Sequence, residues 1–275
     1  MVRGGRRFEG FTGVRHRGEA GSVVTAGRRG GPYRPGMKPR PGPLLTSVMV
    51  LLTLATGMIE AVSFLALGPV FAAVQTGSLL LLGFAIAGAP GISAVVSGAS
   101  LAGFAFGAIA GSHLQSAIDA RGRRWFDTAL VVEGVLLGVA ALVIWRAGIE
   151  GPGGPVDGRH LAAIAMVACA MGVRNVTSLR VQVPGLPTTV ATRALTGLLV
   201  ALPPLAADTR VGGGLGTEVR RVASIAAMLS GALLGAWLLE RAVPPALVLA
   251  FPAGLVLALG LAILAIPRDR TSIPG

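Results

Sequence analysis

Six apolar runs, each long enough to cross a bilayer as a helix, constrain this chain more than any motif does. They are Leu44 to Leu67, Ile92 to Leu114, Thr128 to Trp145, His160 to Val181, Val222 to Leu239 and Ala246 to Ile266. Hydrocarbon about 30 Å thick is spanned by roughly 20 apolar residues at about 1.5 Å per residue, and Leu44 to Leu67 alone exceeds that length. With 53% hydrophobic and 13% charged residues, the composition is that of a bilayer-embedded bundle. The predicted fold class is therefore all-α: a polytopic transmembrane helix bundle. Aromatic content is 5% whereas glycine numbers 41, so helices are expected to pack through small side chains, with no hydrophobic effect between them in lipid.

A formal charge of +12 could suggest a nucleic-acid partner, but ten of the 24 basic residues precede residue 44, against only Glu9 and Glu19 there. Residues 1–43 read as a disordered basic tail, because their composition buries too little apolar surface to offset ordering entropy. An alternative start at Met37 would remove most of that tail. Arg6-Arg7-Phe8 lies too far from the first apolar run for a twin-arginine signal, and Leu44 to Leu67 is too long for a signal-peptide core. It reads as a permanent anchor. Residues 44–268 form the transmembrane domain, with repeat halves at about 44–148 and 160–266, and residues 269–275 a C-terminal tail. The single Cys169 excludes an intramolecular disulfide.

Two further segments are apolar but interrupted. Val70 to Ala89 contains Gln75-Thr76-Gly77-Ser78, and Pro187 to Ala206 contains Arg193 and Pro203-Pro204. Counting them as full crossings gives eight spans and puts Arg121, Arg123 and Arg124 outside a membrane whose cytoplasmic loops normally carry the positive excess. Treated as re-entrant or discontinuous helices, they leave six crossings with both termini and every arginine cluster in the cytoplasm. The expected location is the bacterial inner membrane. Six crossings are preferred, since such broken backbone is tolerated where protein or a water-filled cavity surrounds it.

Weak internal symmetry accompanies this division. Gly57-Met58-Ile59-Glu60-Ala61-Val62-Ser63 parallels Gly172-Val173-Arg174-Asn175-Val176-Thr177-Ser178 at an offset of 115, and Thr76 parallels Thr192 at 116. Gly103 and Gly107 match Gly231 and Gly235 at 128. Three crossings per half would make the second copy inverted, a recurrent transporter plan.

Polar groups inside the apolar runs are the candidates for chemistry. Glu60 is an acid within the first run, where a charge costs about 2.5–3.5 kcal/mol at the helix centre unless it meets partners or water. It reads either as a proton- or cation-coupling group or as an interfacial residue paired with Arg174 or Arg180. Glu133 reads as a helix-end residue or a pairing residue in the bundle interior. Ser63 lies one turn beyond Glu60. Gln75, Thr76, Gly77 and Ser78 at the first break, with Thr188, Thr189 and Thr192 at the second, could coordinate a solute or cation or simply repair the broken backbone. Arg174, Asn175, Thr177, Ser178, Arg180 and Gln182 make one helix end polar, either as an anion or polar-solute pocket or as an interfacial end. Gly103, Gly107 and Gly111, Gly134 with Gly138, and Gly231 with Gly235 are small-residue spacings that read as packing seams. His16, His113 and His160 are isolated, and no paired His, Cys or carboxylate pattern suggests a metal, a cofactor or a catalytic centre. Gly212-Gly213-Gly214-Leu215-Gly216 lacks the strand and lysine of a phosphate-binding loop.

Thr56-Gly57-Met58-Ile59-Glu60-Ala61-Val62-Ser63-Phe64-Leu65-Ala66-Leu67, Val70-Phe71, Thr76-Gly77-Ser78, Met171-Gly172, Asn175, Arg180, Leu186-Pro187-Thr188-Thr189-Val190 and Thr192 together resemble the YoaK-like family, domain of unknown function 1275. The resemblance runs over roughly residues 44 to 268. It implies a multi-pass bacterial membrane protein and assigns no activity. This chain has Glu60 where that family usually has Asp, Ser78 where Asn usually follows Thr-Gly, and Arg193 in place of the second glycine.

The expected function is transport of a small solute or ion, with sites at the broken helices. The alternative is a non-transporting scaffold or assembly factor that binds other helices through its glycine seams, and no enzyme chemistry is expected. Expected partners are the lipid bilayer, an unidentified small solute or ion, and further copies of the chain in a homo-oligomer, with no nucleic acid.

Overall fold

The computed structural model describes residues 42–151, 156–181 and 215–266. Within them the chain forms α1 (Pro43–Val62), continued by a π-helical turn (Ser63–Leu67), then α2 (Gln75–Ile86), α3 (Ala94–Ala120), α4 (Trp125–Arg146), α5 (Gly158–Val181), α6 (Leu215–Glu240) and α7 (Pro245–Ala265). Six of these are long and apolar enough to cross a membrane. The exception is α2, whose 12 residues reach only about 18 Å. The first expected break is thus a short helix and adds no span. The second, with Thr188, Thr189 and Thr192, lies outside the described residues.

Local sequence explains where the helices begin and end. Proline at the first position starts α1 and α7, where its missing N–H costs nothing, and the Ser93 hydroxyl caps α3 by accepting from Val96. Asp157 accepts from the backbone N–H groups of Arg159 and His160 at the start of α5. Its carboxyl is held well below the ordinary range, by the His160 ring first and the Arg159 guanidinium second. α3 closes at Gly122, which takes φ +63° while its N–H bonds Asp119 O at 2.8 Å and that of Arg123 bonds Ile118 O at 3.1 Å. The last carbonyls of α7 are satisfied differently: Arg124 reaches across to donate to Ile263 O and Ile266 O, both at 2.7 Å.

Three tight pairs build the bundle: α1 with α6, α3 with α5, and α4 with α7. In each pair, glycine sets the approach. A methyl group at Gly231 would stand 2.0 Å from Leu54 O, and one at Gly107 2.0 Å from Cys169 O. Gly57 and Gly172 sit reciprocally against Met228 and Phe104, at 2.3 Å from each carbonyl, and Gly103 against Ala165 O at 2.3 Å. Gly111 meets Val173, Gly235 meets Met58, and Gly134 and Gly260 meet Leu257 and Val131. The glycine spacing therefore marks helix contacts, with one correction. Gly138 has nothing among the described residues within 4 Å of an added methyl group, because it lies on the outward face of α4.

The registers fix the helix directions. Leu54 opposite Gly231 and Met58 opposite Gly235 make α1 and α6 parallel, while Ala165, Cys169 and Val173 opposite Gly103, Gly107 and Gly111 make α3 and α5 parallel. One end of the bundle then gathers the start of α1, the α3–α4 turn, the end of α5, the start of α6 and the end of α7. A cluster of Leu45, Trp125, Phe126 and Ile263 closes it. Arg121, Arg123, Arg124, Arg180, Arg220 and Arg221 belong to that end, against Arg146, Arg159 and Arg241 at the other.

Such contact predicts asymmetric tolerance to one added methyl group. Gly107→Ala and Gly231→Ala should each cost about 1–3 kcal/mol by overpacking. Gly138→Ala should cost almost nothing, and thermal unfolding of the purified variants in detergent measures the difference.

Candidate functional site

Two polar clusters occupy the apolar bundle. The first secures the break after α1, where the helix relaxes into a π-helical turn and ends at Gly68 with φ +131°. Residues 68–74 then run without helical hydrogen bonds, so their N–H groups need other acceptors. Glu60 supplies them. Its Oε1 accepts from Ala73 at 2.7 Å and Val74 at 2.8 Å, and its Oε2 from Ala72 at 2.9 Å. These donors lie just before α2, so the carboxylate also sits at the positive end of that helix. Ser78 Oγ donates to Phe71 O at 2.7 Å and accepts from Phe71 N at 3.1 Å, while Ser100 Oγ donates to the same carbonyl at 2.7 Å. Gln75 Nε2 bonds Ala72 O at 2.6 Å and Ser100 Oγ at 3.3 Å. At Gly77 the missing side chain leaves room for the Phe71 ring, 2.6 Å from where a methyl group would be, and that ring stacks on Phe64.

The break is accordingly closed on itself. Gln75, Gly77, Ser78 and Glu60 come together with Ser100, which the sequence did not single out, while Thr76 faces outward. Ser63 is buried with no partner for its hydroxyl. Glu60 does not pair with Arg174 or Arg180, contrary to the pairing expected as one alternative. The backbone N–H groups saturate its carboxylate, and each arginine has an acid of its own. Arg180 pairs with Asp119 at 2.7 Å and lies over the Trp125 ring at 4.3 Å, at the rim of the bundle.

The second cluster is deeper and carries formal charge on both sides. Arg174 on α5 and Glu133 on α4, 1% and 0% exposed, form an ion pair through Nη2 and Oε1. Arg174 Nη1 also donates to Leu52 O at 2.5 Å and Thr56 Oγ1 at 2.7 Å on α1, and the Thr56 hydroxyl itself donates to Leu52 O at 2.9 Å. One side chain thus ties three helices. Arg174 Nε and Glu133 Oε2 are buried with no hydrogen-bond partner among the described residues. Glu133 is eight residues into α4, about 12 Å from its start and so in the interior of a helix long enough to cross a membrane. A turn farther along α5, Gln115 Nε2 donates to Thr177 Oγ1 at 2.9 Å. Asn175 and Ser178, on the same helix, are half-buried.

The interior-pairing expectation for Glu133 therefore holds. Thr56 and Gln115, hidden as ordinary polar residues of their helices, were not singled out. Arg174 is not a vacant anion pocket, because the chain's own carboxylate occupies it. Among the described residues, no group of three or more His, Cys, Asp or Glu comes together to hold a metal ion.

The family described as "Protein of unknown function (DUF1275)" matches residues 48–262. The transmembrane protein YoaK of Bacillus subtilis (strain 168) is 31% identical over 157 residues, covering 56% of this chain and 65% of the relative, just under two thirds of that protein's length. No solved structure matches the chain.

The staple predicts the outcome of Glu60→Gln. An amide keeps one acceptor and turns a donor toward backbone donors, so at least one buried N–H loses its partner, at about 1–3 kcal/mol. Hydrogen exchange should quicken at Ala72 to Val74 while the α4–α7 contact stays protected.

Proposed function

We propose that this chain, which belongs to the DUF1275 family of proteins of unknown function, transports a small solute or ion. It is a multi-pass membrane protein. The observation that carries the proposal is the repeated register of its helix contacts. Leu54 on Gly231 and Cys169 on Gly107 relate α1 to α5 by 115 residues and α6 to α3 by 124, and Met58 on Gly235 and Val173 on Gly111 repeat both offsets. Gly134 on Leu257 and Val131 on Gly260 relate α4 to α7 by 126. These contacts support an internal repeat in which Gly107 corresponds to Gly231, one turn away from the pairing of Gly103 with Gly231 expected from spacing. Three crossings in each half invert one copy relative to the other.

The two copies are interlaced, since α1 of the first half packs on α6 of the second and α5 of the second on α3 of the first. The units that could rock are therefore α1 with α6 and α3 with α5, disposed about the α4–α7 pair. Arg174 spans them by bonding to α1 from α5. A working site is better sought at Arg174 and Glu133 than at the break, where Glu60 is saturated by the backbone. The glycine seams are used within the chain, which favours transport over a scaffold that offers them to other helices.

The arginine-rich end is assigned to the cytoplasm of a bacterial inner membrane by the positive-inside tendency. In a Cys169→Ala background, Gly122→Cys should resist an impermeant thiol reagent in intact cells, whereas Gly148→Cys should react. The reverse pattern would invert the assignment. Uptake and efflux profiling of a deletion strain against its complement tests transport itself; identical profiles for every metabolite and ion would end the proposal.

A further inference from the structure

We propose that Arg174 binds a small monovalent oxyanion, and that Glu133 is the built-in anion that leaves the guanidinium when it takes up a proton. The inference rests on the transport reading and names its substrate class. Arg174 is the only buried cation within the described helices, and two of its bonds, to Leu52 O and Thr56 Oγ1, do not involve Glu133. The guanidinium therefore stays in place if the carboxylate departs. Glu133, by contrast, has Arg174 as its single partner among the described residues, and its Oε2 has no hydrogen bond there.

The geometry is that of an incompletely filled site. An arginine and a carboxylate can pair through two parallel hydrogen bonds, whereas here the closest approach is Nη2 to Oε1 and neither Nε nor Oε2 has a hydrogen-bond partner among the described residues. A buried donor at Nε and a buried acceptor at Oε2 are left over, each a group that normally costs free energy to bury unpaired. A second oxyanion could use that Nε, and a proton on Oε2 would give Glu133 a donor of its own.

Charge balance sets the order of events. A guanidinium does not give up its proton in a protein, so the only neutralising change open to the pair is protonation of the carboxylate. A proton from water forms an O–H bond on Glu133, the ion pair breaks, and Arg174 carries an uncompensated positive charge inside hydrocarbon. A monovalent anion restores neutrality, so one proton and one anion enter together and leave together. Among the described residues, no other charge competes at this position. α7 has no titratable residue; on α4 Asp127 pairs with Arg124; on α3 His113 is exposed and Asp119 pairs with Arg180; on α1 Glu60 is bound to Ala72, Ala73 and Val74.

Methanesulfonate is a suitable probe because it stays anionic across the neutral range. Binding to the full chain in detergent is read from thermal unfolding, with sodium methanesulfonate titrated against sodium gluconate at equal ionic strength. The wild-type protein should be stabilised, and its apparent Kd should weaken about tenfold for each unit of rising pH, the signature of one proton taken up with each anion. Glu133→Gln should be less stable than wild type in gluconate and regain stability in methanesulfonate with no pH dependence. Arg174→Gln should lose the response. Absence of stabilisation in the wild-type protein at acidic pH, or the same pH slope in Glu133→Gln, would overturn the proposal. If Glu133→Gln does not fold, the wild-type slope decides alone. Since binding is measured without flux, a negative result here leaves the transport reading standing, and a positive one survives its failure.

Discussion

Hydrocarbon offers no hydrogen bonds, so every polar group in the bundle must find its partner within the chain, and the rest of the structure follows from that constraint. Regular helices meet it automatically. The cost appears only where the backbone departs from a helix or a side chain carries charge, and the chain meets those two cases at separate places. Glu60 answers the first by giving one carboxylate to three consecutive N–H groups. Arg174 answers the second by reaching a carboxylate, a carbonyl and a hydroxyl at once.

The same constraint explains the abundance of glycine. Without a hydrophobic driving force between helices, dispersion and close backbone approach hold them together, and glycine permits approach to within contact of the opposing carbonyl. At Gly107 and Gly231 that contact is so close that no side chain could be accommodated without a shift. The α1–α6 and α3–α5 seams are nearly copies of one another. They lock each sequence half into the other, so a movement that respects them would carry one helix from each half.

The two polar clusters differ in what they leave unfinished. Around Glu60 both carboxylate oxygens are used, and Ser78, Ser100 and the Gln75 amide nitrogen serve the Phe71 and Ala72 backbone, which leaves only neutral groups, the Ser63 hydroxyl and Gln75 Oε1 among them, without a partner among the described residues. Around Arg174 a buried donor and a buried acceptor remain. A buried ion pair contributes little net stability over well-packed apolar residues, because desolvation offsets the Coulomb attraction. Its presence between three helices is better understood as a device that senses charge than as glue.

From sequence alone, the class, the six helices long enough to cross a membrane, the short first break and most of the glycine seams were legible, because each follows from local properties: the length of an apolar run, an interruption by Gln75 to Ser78, or a small residue every fourth position. That Glu60 matters was also legible, since an acid within a long apolar run demands a partner. Which partner was not. Arg174 and Arg180 were its obvious counter-charges, yet the tertiary structure gives Arg174 to Glu133 on a neighbouring helix and gives Glu60 to backbone donors that become available only once residues 68–74 fold back beside α1. Which glycines make matching contacts was likewise hidden, because glycines recur every four residues and spacing cannot say which of them touch: Gly107 on Cys169 and Gly231 on Leu54 are the alike pair. Apolar patterning determines which segments enter the membrane. Contacts between segments distant in sequence decide how the few buried charges are shared, because each must be satisfied by whatever the packed bundle brings within reach.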